Sequence, residues 1–313
     1  MFPIIDGHVD LVHFMRQKAP GLNFSDLDSG TLSPEGFSQG KLSVFSSALF
    51  CPDPFNGPGT SGQMLQDLIR YSLENISGLQ HLKDANDLKQ FCIKEPEKTG
   101  YILLLENADV LADWAVRDLK DYGIFIIGLT HIGQNRLAEG NGVNFPSGLT
   151  EKGYRVVRVL DEEQMILDLA HLSEPGFWQV VDLYSGPLMT SHTGFRNFFD
   201  VPRNLSEKQL SEIVAKDGLI GLTINPEMFG QPQIEITDVY HHIDWFVQRF
   251  GSRNLGIGTD FGGFEITGQQ CSDYTCFQDL AEYLDKDGYA KNDIQSILAD
   301  NWYRFLVRNL PGG

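Results

Sequence analysis

Apolar residues along this 313-residue chain gather into eight short runs, at 3–6, 43–50, 101–105, 124–130, 165–170, 187–191, 218–224 and 255–259. Between most of them, apolar positions recur at helical spacing. Met64, Leu65, Leu68 and Ile69 do so behind Thr60 and Ser61, and Leu111, Trp114, Ala115 and Leu119 do so after the third run. Ser206-Glu207-Lys208-Gln209 is a capping box ahead of the stripe Leu210, Ile213 and Val214, and Gly218 is expected to stop that helix. Strand alternating with helix eight times predicts an α/β fold of the (β/α)8 TIM-barrel type. Residues 274–310 read as additional C-terminal helices, burying Ile294, Ile297, Leu298, Trp302, Phe305 and Leu306. An open doubly wound sheet is the alternative, and it would keep the first and eighth strands apart. No linker or repeat interrupts the pattern, so residues 1–313 read as one barrel domain. The Gly-, Pro- and Asn-rich stretches 51–61, 132–148 and 226–233 are expected to loop over the barrel mouth.

Polar residues punctuate these runs. His8 and Asp10 end the first and Glu106 follows the third. His171, His192 and Asp260 follow the fifth, sixth and eighth. A parallel barrel carries its chemistry at the carboxyl ends of its strands. Residues i and i+2 of a strand share a face, so His8 and Asp10 can ligate one ion. Imidazole with carboxylate suits zinc or a similar divalent cation. His171 and His192 could bind a second ion, and the two oxygens of Glu106 could bridge both. Paired ions would share a water, lower its pKa and hold a hydroxide nucleophile at neutral pH. Asp260 is then the natural proton acceptor and later donor. Taken singly, each residue has a plainer role: Glu106 as a helix-start charge, His171 as a turn residue before Ser173 and Glu174, Asp260 within a Gly-Thr-Asp-Phe-Gly-Gly turn. Their joint placement at strand ends favours a metal site.

Composition narrows the partners. The chain has 24 Lys and Arg against 42 Asp and Glu, a net charge of −18, which argues against nucleic acid and anionic membranes. No run approaches the roughly 20 apolar residues of a membrane span. No basic leader with a cleavage site precedes the first strand, so no signal peptide is expected. Cys51, Cys92, Cys271 and Cys276 form no CxxC pair. Cys271 and Cys276 could close a disulfide or hold a metal, but free thiols in a reducing cytoplasm are the expected state.

The chain resembles the membrane dipeptidase (renal dipeptidase) family of zinc peptidases, within the amidohydrolase-like barrels. The resemblance rests on Asp6-Gly7-His8-Val9-Asp10, Leu105-Glu106, Leu129-Thr130-His131 with Asn135, and Asp168-Leu169-Ala170-His171-Leu172-Ser173. It continues through Ser191-His192, Pro202-Arg203-Asn204, Gly256-Ile257-Gly258-Thr259-Asp260-Phe261, and Asn301 with Arg304. It implies that His8 and Asp10 bind a first zinc, that Glu106 bridges, and that His171 and His192 bind a second. It further implies that His131 stabilises the oxyanion, that Arg203 clamps the substrate's terminal carboxylate, with Asn135 also among the substrate contacts, and that Asp260 is the acid/base. Read alone, Arg203 would be a surface salt bridge and His131 a core histidine. The chain departs from the family where Asn107-Ala108 follows the bridging Glu in place of two small residues. It departs again where Asp260-Phe261-Gly262-Gly263 loses one carboxylate of a DFDG, where Leu11-Val12 lacks the usual Pro, and in the wording of 132–148. These bear on substrate preference more than on the reaction.

The expectation is a cytoplasmic dipeptidase with two zinc ions, a single ion being the alternative, acting on small dipeptides. A homodimer is compatible with the sequence. The same barrel acting on another small amide, an N-acyl amino acid or a lactone would be separated by a substrate panel. A non-catalytic relative that binds only metal or ligand is opposed by Glu106 and Asp260.

Overall fold

The computed structural model describes residues 1–265 and 271–313. Among the described residues nine strands run in chain order: β1 (Ile4–Val9), β2 (Leu42–Phe50), β3 (Gln80–His81), β4 (Gly100–Glu106), β5 (Ile124–Gly128), β6 (Ile166–Asp168), β7 (Leu188–Thr193), β8 (Leu219–Leu222) and β9 (Leu255–Ile257). Every pairing is parallel, and β1 pairs with both β2 and β9 while β2 also pairs with β4. That closes an eight-stranded barrel and excludes the open sheet. The short β3 pairs only Gly100 and Tyr101, ahead of the point at Leu103 where β5 takes over.

All seven residues of β4 are buried, as a strand covered on both sides by core requires. Ile102, Leu104 and Glu106 alternate onto one of its faces. Ile102 and Leu104 share an apolar cluster with Ile5, Val44, Ile126, Ile166, Met189 and Leu219, one residue from each of six further strands. A cluster fed by so many strands is the barrel interior. Trp302, Phe305 and Leu306 of helix Asn301–Asn309 join it. The Trp302 indole donates to the Ile257 carbonyl at 2.7 Å and fills space left by two glycines. A Cβ on Gly7 would lie 2.2 Å from its ring, and one on Gly256 2.4 Å from its Nε1. The larger second cluster joins strands to the surrounding helices, among them Thr60–Asn75, Glu151–Glu162, Ile236–Phe250 and Cys276–Lys286. Among the described residues no helix is long and apolar enough to cross a membrane.

Three local expectations need correction. The segment after β4 is not one helix: a 3-10 turn (Asp109–Ala112) is followed by a separate short helix (Val116–Lys120). The turn is held by Arg136, whose guanidinium brackets the Asp109 carboxylate at 2.7–3.1 Å, a long-range tie that helical spacing does not encode. The Ser206 cap forms as expected, its side chain accepting from Gln209 N. The chain then reverses at Asp217 (φ 52°) rather than at Gly218, whose Cβ would lie 2.6 Å from the Leu188 carbonyl; Gly218 is needed for close approach. Finally, β1 ends at Val9, so Asp10 is the N-cap of helix Leu11–Lys18 and not a strand residue.

Candidate active site and metal centre

Above the apolar interior the same alternation delivers a polar layer. Glu106 ends β4, Asp168 ends β6 and Ser191 lies in β7, all buried. The histidines reach this layer by other means. The pairing of β1 with β2 slips between Asp6 and Val9, and that of β7 with β8 slips between Thr190 and Thr193. Such irregularities re-aim a side chain, and here they bracket His8 and His192. His131, His171, Asn225 and Asp260 each stand three residues beyond a strand end, after β5, β6, β8 and β9 respectively. His171 (φ 61°) and Asp260 (φ 66°) are in the left-handed region, which non-glycine residues adopt at some cost and which concentrates at functional sites.

The structure brings the predicted ligands together. Glu106 is the hub: its Oε1 lies 3.0 Å from His171 Nε2 and its Oε2 3.7 Å from His8 Nε2. His8 Nε2 is 3.4 Å from Asp10 Oδ2, and His171 Nε2 is 3.1 Å from His192 Nε2. Three overlapping groups have ligand atoms within 4.8 Å of one another: His8, Glu106 and His192; Glu106, His131 and His171; His8, Asp10 and Asp260. The pair named by the i, i+2 argument does meet, but by a different route: a residue at a strand slip beside a helix cap.

Residues that the spacing did not single out hold these groups in place. Ser191 Oγ sits between two rings, 3.1 Å from His8 Nδ1 and 2.8 Å from His192 Nδ1, leaving both Nε2 atoms turned to the centre. Asp168 accepts from Ser191 N and Ala170 N, and Asp6 from His8 N and Thr259 N. Asn225 Nδ2 donates to Asp260 Oδ2 at 2.7 Å. Asp53 Oδ2 lies 3.9 Å from His131 Nδ1. Ser191 and Asp168 were audible as neighbours within the quoted motifs; Asn225 and Asp53 carried no local signal.

One assignment changes. Asn135, expected among the substrate contacts, is buried with its amide engaged inside the protein. It donates to Asn107 Oδ1 and Leu129 O, each at 2.7 Å, and accepts from Leu137 N and Ala138 N. It shapes the loop that carries His131 and does not line the cavity. Arg203 does line it, beside His171 and His131. Its Nη2 donates to the His192 carbonyl at 3.0 Å, and it has no carboxylate partner among the described residues. Two of the three loops expected over the mouth reach the cavity, 132–148 through Ile132, Asn141 and Gly142 and 226–233 through Glu227 and Met228, whereas 51–61 gives it no wall residue among the described residues; the cavity encloses ≈ 430 Å³.

The electrostatics divide the histidines. Burial works against a charged His8, yet the carboxylates of Glu106, Asp10 and Asp260 outweigh it and push its pKa up to about 10. Burial holds His171 and His192 well below their usual range, reinforced by the positive charges of Arg203 and His8. Burial, joined by the negative charge of Asp10, pushes Asp260 up to about 7, against the pull of His8, Asn225 and Arg203. His131 is half-buried, and its pKa is raised despite desolvation because Asp53 and Glu106 favour its charged form.

This donor set fits divalent metal. Three buried carboxylates face the His8 ring, and His8 Nε2, Asp10 Oδ1 and His171 Nδ1 have no hydrogen-bond partner among the described residues. Buried charges of one sign require a counter-charge, and a cation held by imidazole and carboxylate supplies it.

Comparison with known proteins agrees. The chain is 26% identical over 325 residues to the dipeptidase verJ of Clonostachys rogersoniana, covering 97% of this chain and 83% of that one. Its fold is similar to that of the metallopeptidase dipeptidase AC, with TM-score 0.87, 23% identity and 98% of both chains covered. It is also similar to a Rhodobacter sphaeroides metallopeptidase liganded with a phosphinate mimic of L-Ala-D-Ala, with TM-score 0.84, 22% identity and 98% and 99% coverage. The sequence profile of the membrane dipeptidase family, peptidase family M19, matches residues 1–309, so the chain belongs to that family of metal-dependent dipeptidases.

Proposed function

We propose that the protein hydrolyses dipeptides bearing a free carboxyl terminus, with two zinc ions held by His8, Asp10, Glu106, His171 and His192. The observation that carries this reading is Glu106: one carboxylate presents separate oxygens to His171 and to His8, the arrangement a shared ligand needs. When bound, the ions would supply Lewis acidity, lowering the pKa of water at the site and polarising the scissile carbonyl.

The protein's own groups do the rest. Asp260 accepts a proton from the attacking water and returns one to the leaving amine. A carboxyl group poised near neutrality suits both tasks, and Asn225 fixes its orientation. His131, whose charged form Asp53 favours, donates to the carbonyl oxygen as negative charge develops there. Arg203, without a carboxylate partner among the described residues, offers its guanidinium to the substrate's terminal carboxylate. Metal quantification coupled to a dipeptide panel tests the proposal: two zinc per chain with dipeptide turnover supports it, and turnover by verified metal-free protein overturns it.

A further inference from the structure

A second concavity, of ≈ 1140 Å³, opens beside the metal centre. It shares four wall residues with the smaller cavity: His13, Asn225, Glu227 and Gly263. The two therefore adjoin, and the junction has a definite side. A Cβ on Gly263 would lie 2.5 Å from Asp260 Oδ1 and 2.6 Å from Asp10 Oδ2, so the junction lies directly beside those carboxylates, and only glycine fits there. Arg203 and His131 line only the smaller cavity, on the side of His171 and His192.

That geometry orients a substrate. With its carboxyl end at Arg203, a dipeptide places its amino-terminal residue toward Asp10, Asp260 and Gly263, and the side chain of that residue leads into the larger groove. Away from the junction the groove is lined by uncharged groups such as Gln17, Ser29 and Thr31. On its outer rim Lys18 and Glu265 neutralise each other at 3.3 Å. Glu227, at the junction itself, is exposed and has no ion-pair partner among the described residues. Its backbone N–H donates to Asn225 Oδ1 at 3.1 Å, which fixes its backbone beside the residue that holds Asp260.

We propose that the groove is a specificity subsite for a long, positively charged amino-terminal side chain, with Glu227 as its counter-charge. The preferred substrates are dipeptides that begin with lysine or arginine. This rests on the dipeptidase reading and adds to it the substrate class.

The test compares Lys-Ala with Met-Ala, which has a neutral amino-terminal side chain of similar reach, on the zinc-loaded protein. The readout is the ratio of their kcat/KM values. Lys-Ala is expected to be preferred. Glu227→Gln should lower the ratio about three- to fivefold, the scale of a solvent-screened charge pair. Glu227→Lys should lower it further and reverse the preference. As a reading independent of turnover, free lysine should inhibit more strongly than free methionine in the parent protein, and this difference should vanish in Glu227→Lys. Brisk hydrolysis with a ratio that neither substitution moves would overturn the subsite and leave the dipeptidase reading standing. Absence of hydrolysis for every dipeptide, with zinc bound, would overturn both.

Discussion

The two flanks of Glu106 use the same residue type in opposite ways. On one flank, His8 stands among Asp10, Asp260 and Glu106, and its pKa is pushed up to about 10. On the other, His171 and His192 stand close to each other and to Arg203, and theirs fall well below the usual range. All three are buried. Burial alone would make all three neutral, so the difference is the sign of the neighbouring charge. One flank has an excess of carboxylate and is built to hold cation and move protons. The other is neutral imidazole beside a guanidinium with no carboxylate partner among the described residues, which on the proposed reading holds cation while meeting an anionic substrate end.

The largest effect expected from this division is metal dependence. Removing the ions leaves the carboxylate flank with a proton in place of a divalent cation, and activity should vanish on chelation and return with Zn²⁺. Activity measured against zinc content in a dialysed preparation checks this. Next is Arg203, which belongs to the imidazole flank alone. Arg203→Ala should raise KM for free-carboxylate dipeptides by roughly 10²-fold, the scale of losing a charge-assisted partner, and barely affect C-terminally amidated ones. An unchanged ratio between the two substrate types would remove the clamp. Asn225, on the opposite flank, touches Asp260 without being a ligand. Asn225→Ala should lower kcat about tenfold with a smaller change in KM, because it loosens a proton-transfer group rather than a binding group. A KM effect as large as the kcat effect would make Asn225 a substrate contact instead.

The smallest and sharpest prediction separates the flanks by protons. In the metal-free protein His8, with a pKa of about 10, is protonated at pH 8, whereas His171 and His192 are neutral. Zinc uptake at pH 8 should therefore release about one proton from this set, all of it from the His8 flank. Calorimetry in buffers of different ionisation enthalpy reads that number, and His8→Ala should abolish it. The sign for stability follows from the same shift. The His8 contribution in the metal-free protein is fully present below its unfolded value near 6.5 and is lost as pH rises through about 10.

Much of this was legible in the sequence, for a physical reason. Barrel strands are covered on both faces and therefore read as unbroken apolar runs, and each of the eight runs became a barrel strand. Residues at run ends marked the site because the fold sends strand ends to one mouth. What escaped was whatever depended on contacts across the chain. The Arg136–Asp109 tie that breaks the post-β4 segment spans 27 residues, and Asn225 meets Asp260 across 35. The slips in β1 and β7 are pairing properties and belong to no single segment. Asn135 was named with the substrate contacts by likeness alone. Only its four hydrogen bonds reveal a loop-forming role.

The central claim is that Asp260 moves protons on the carboxylate flank of a metal site that holds together without it. Asp260→Asn preserves size and can still pair with Asn225 through its oxygen. The decisive measurement is kcat together with zinc stoichiometry in that one variant. Zinc content near the parent value with kcat lower by roughly 10²–10⁴ is the expected result, the contribution of a positioned acid/base. Parent-like turnover, or a loss of turnover that tracks lost zinc, would contradict it.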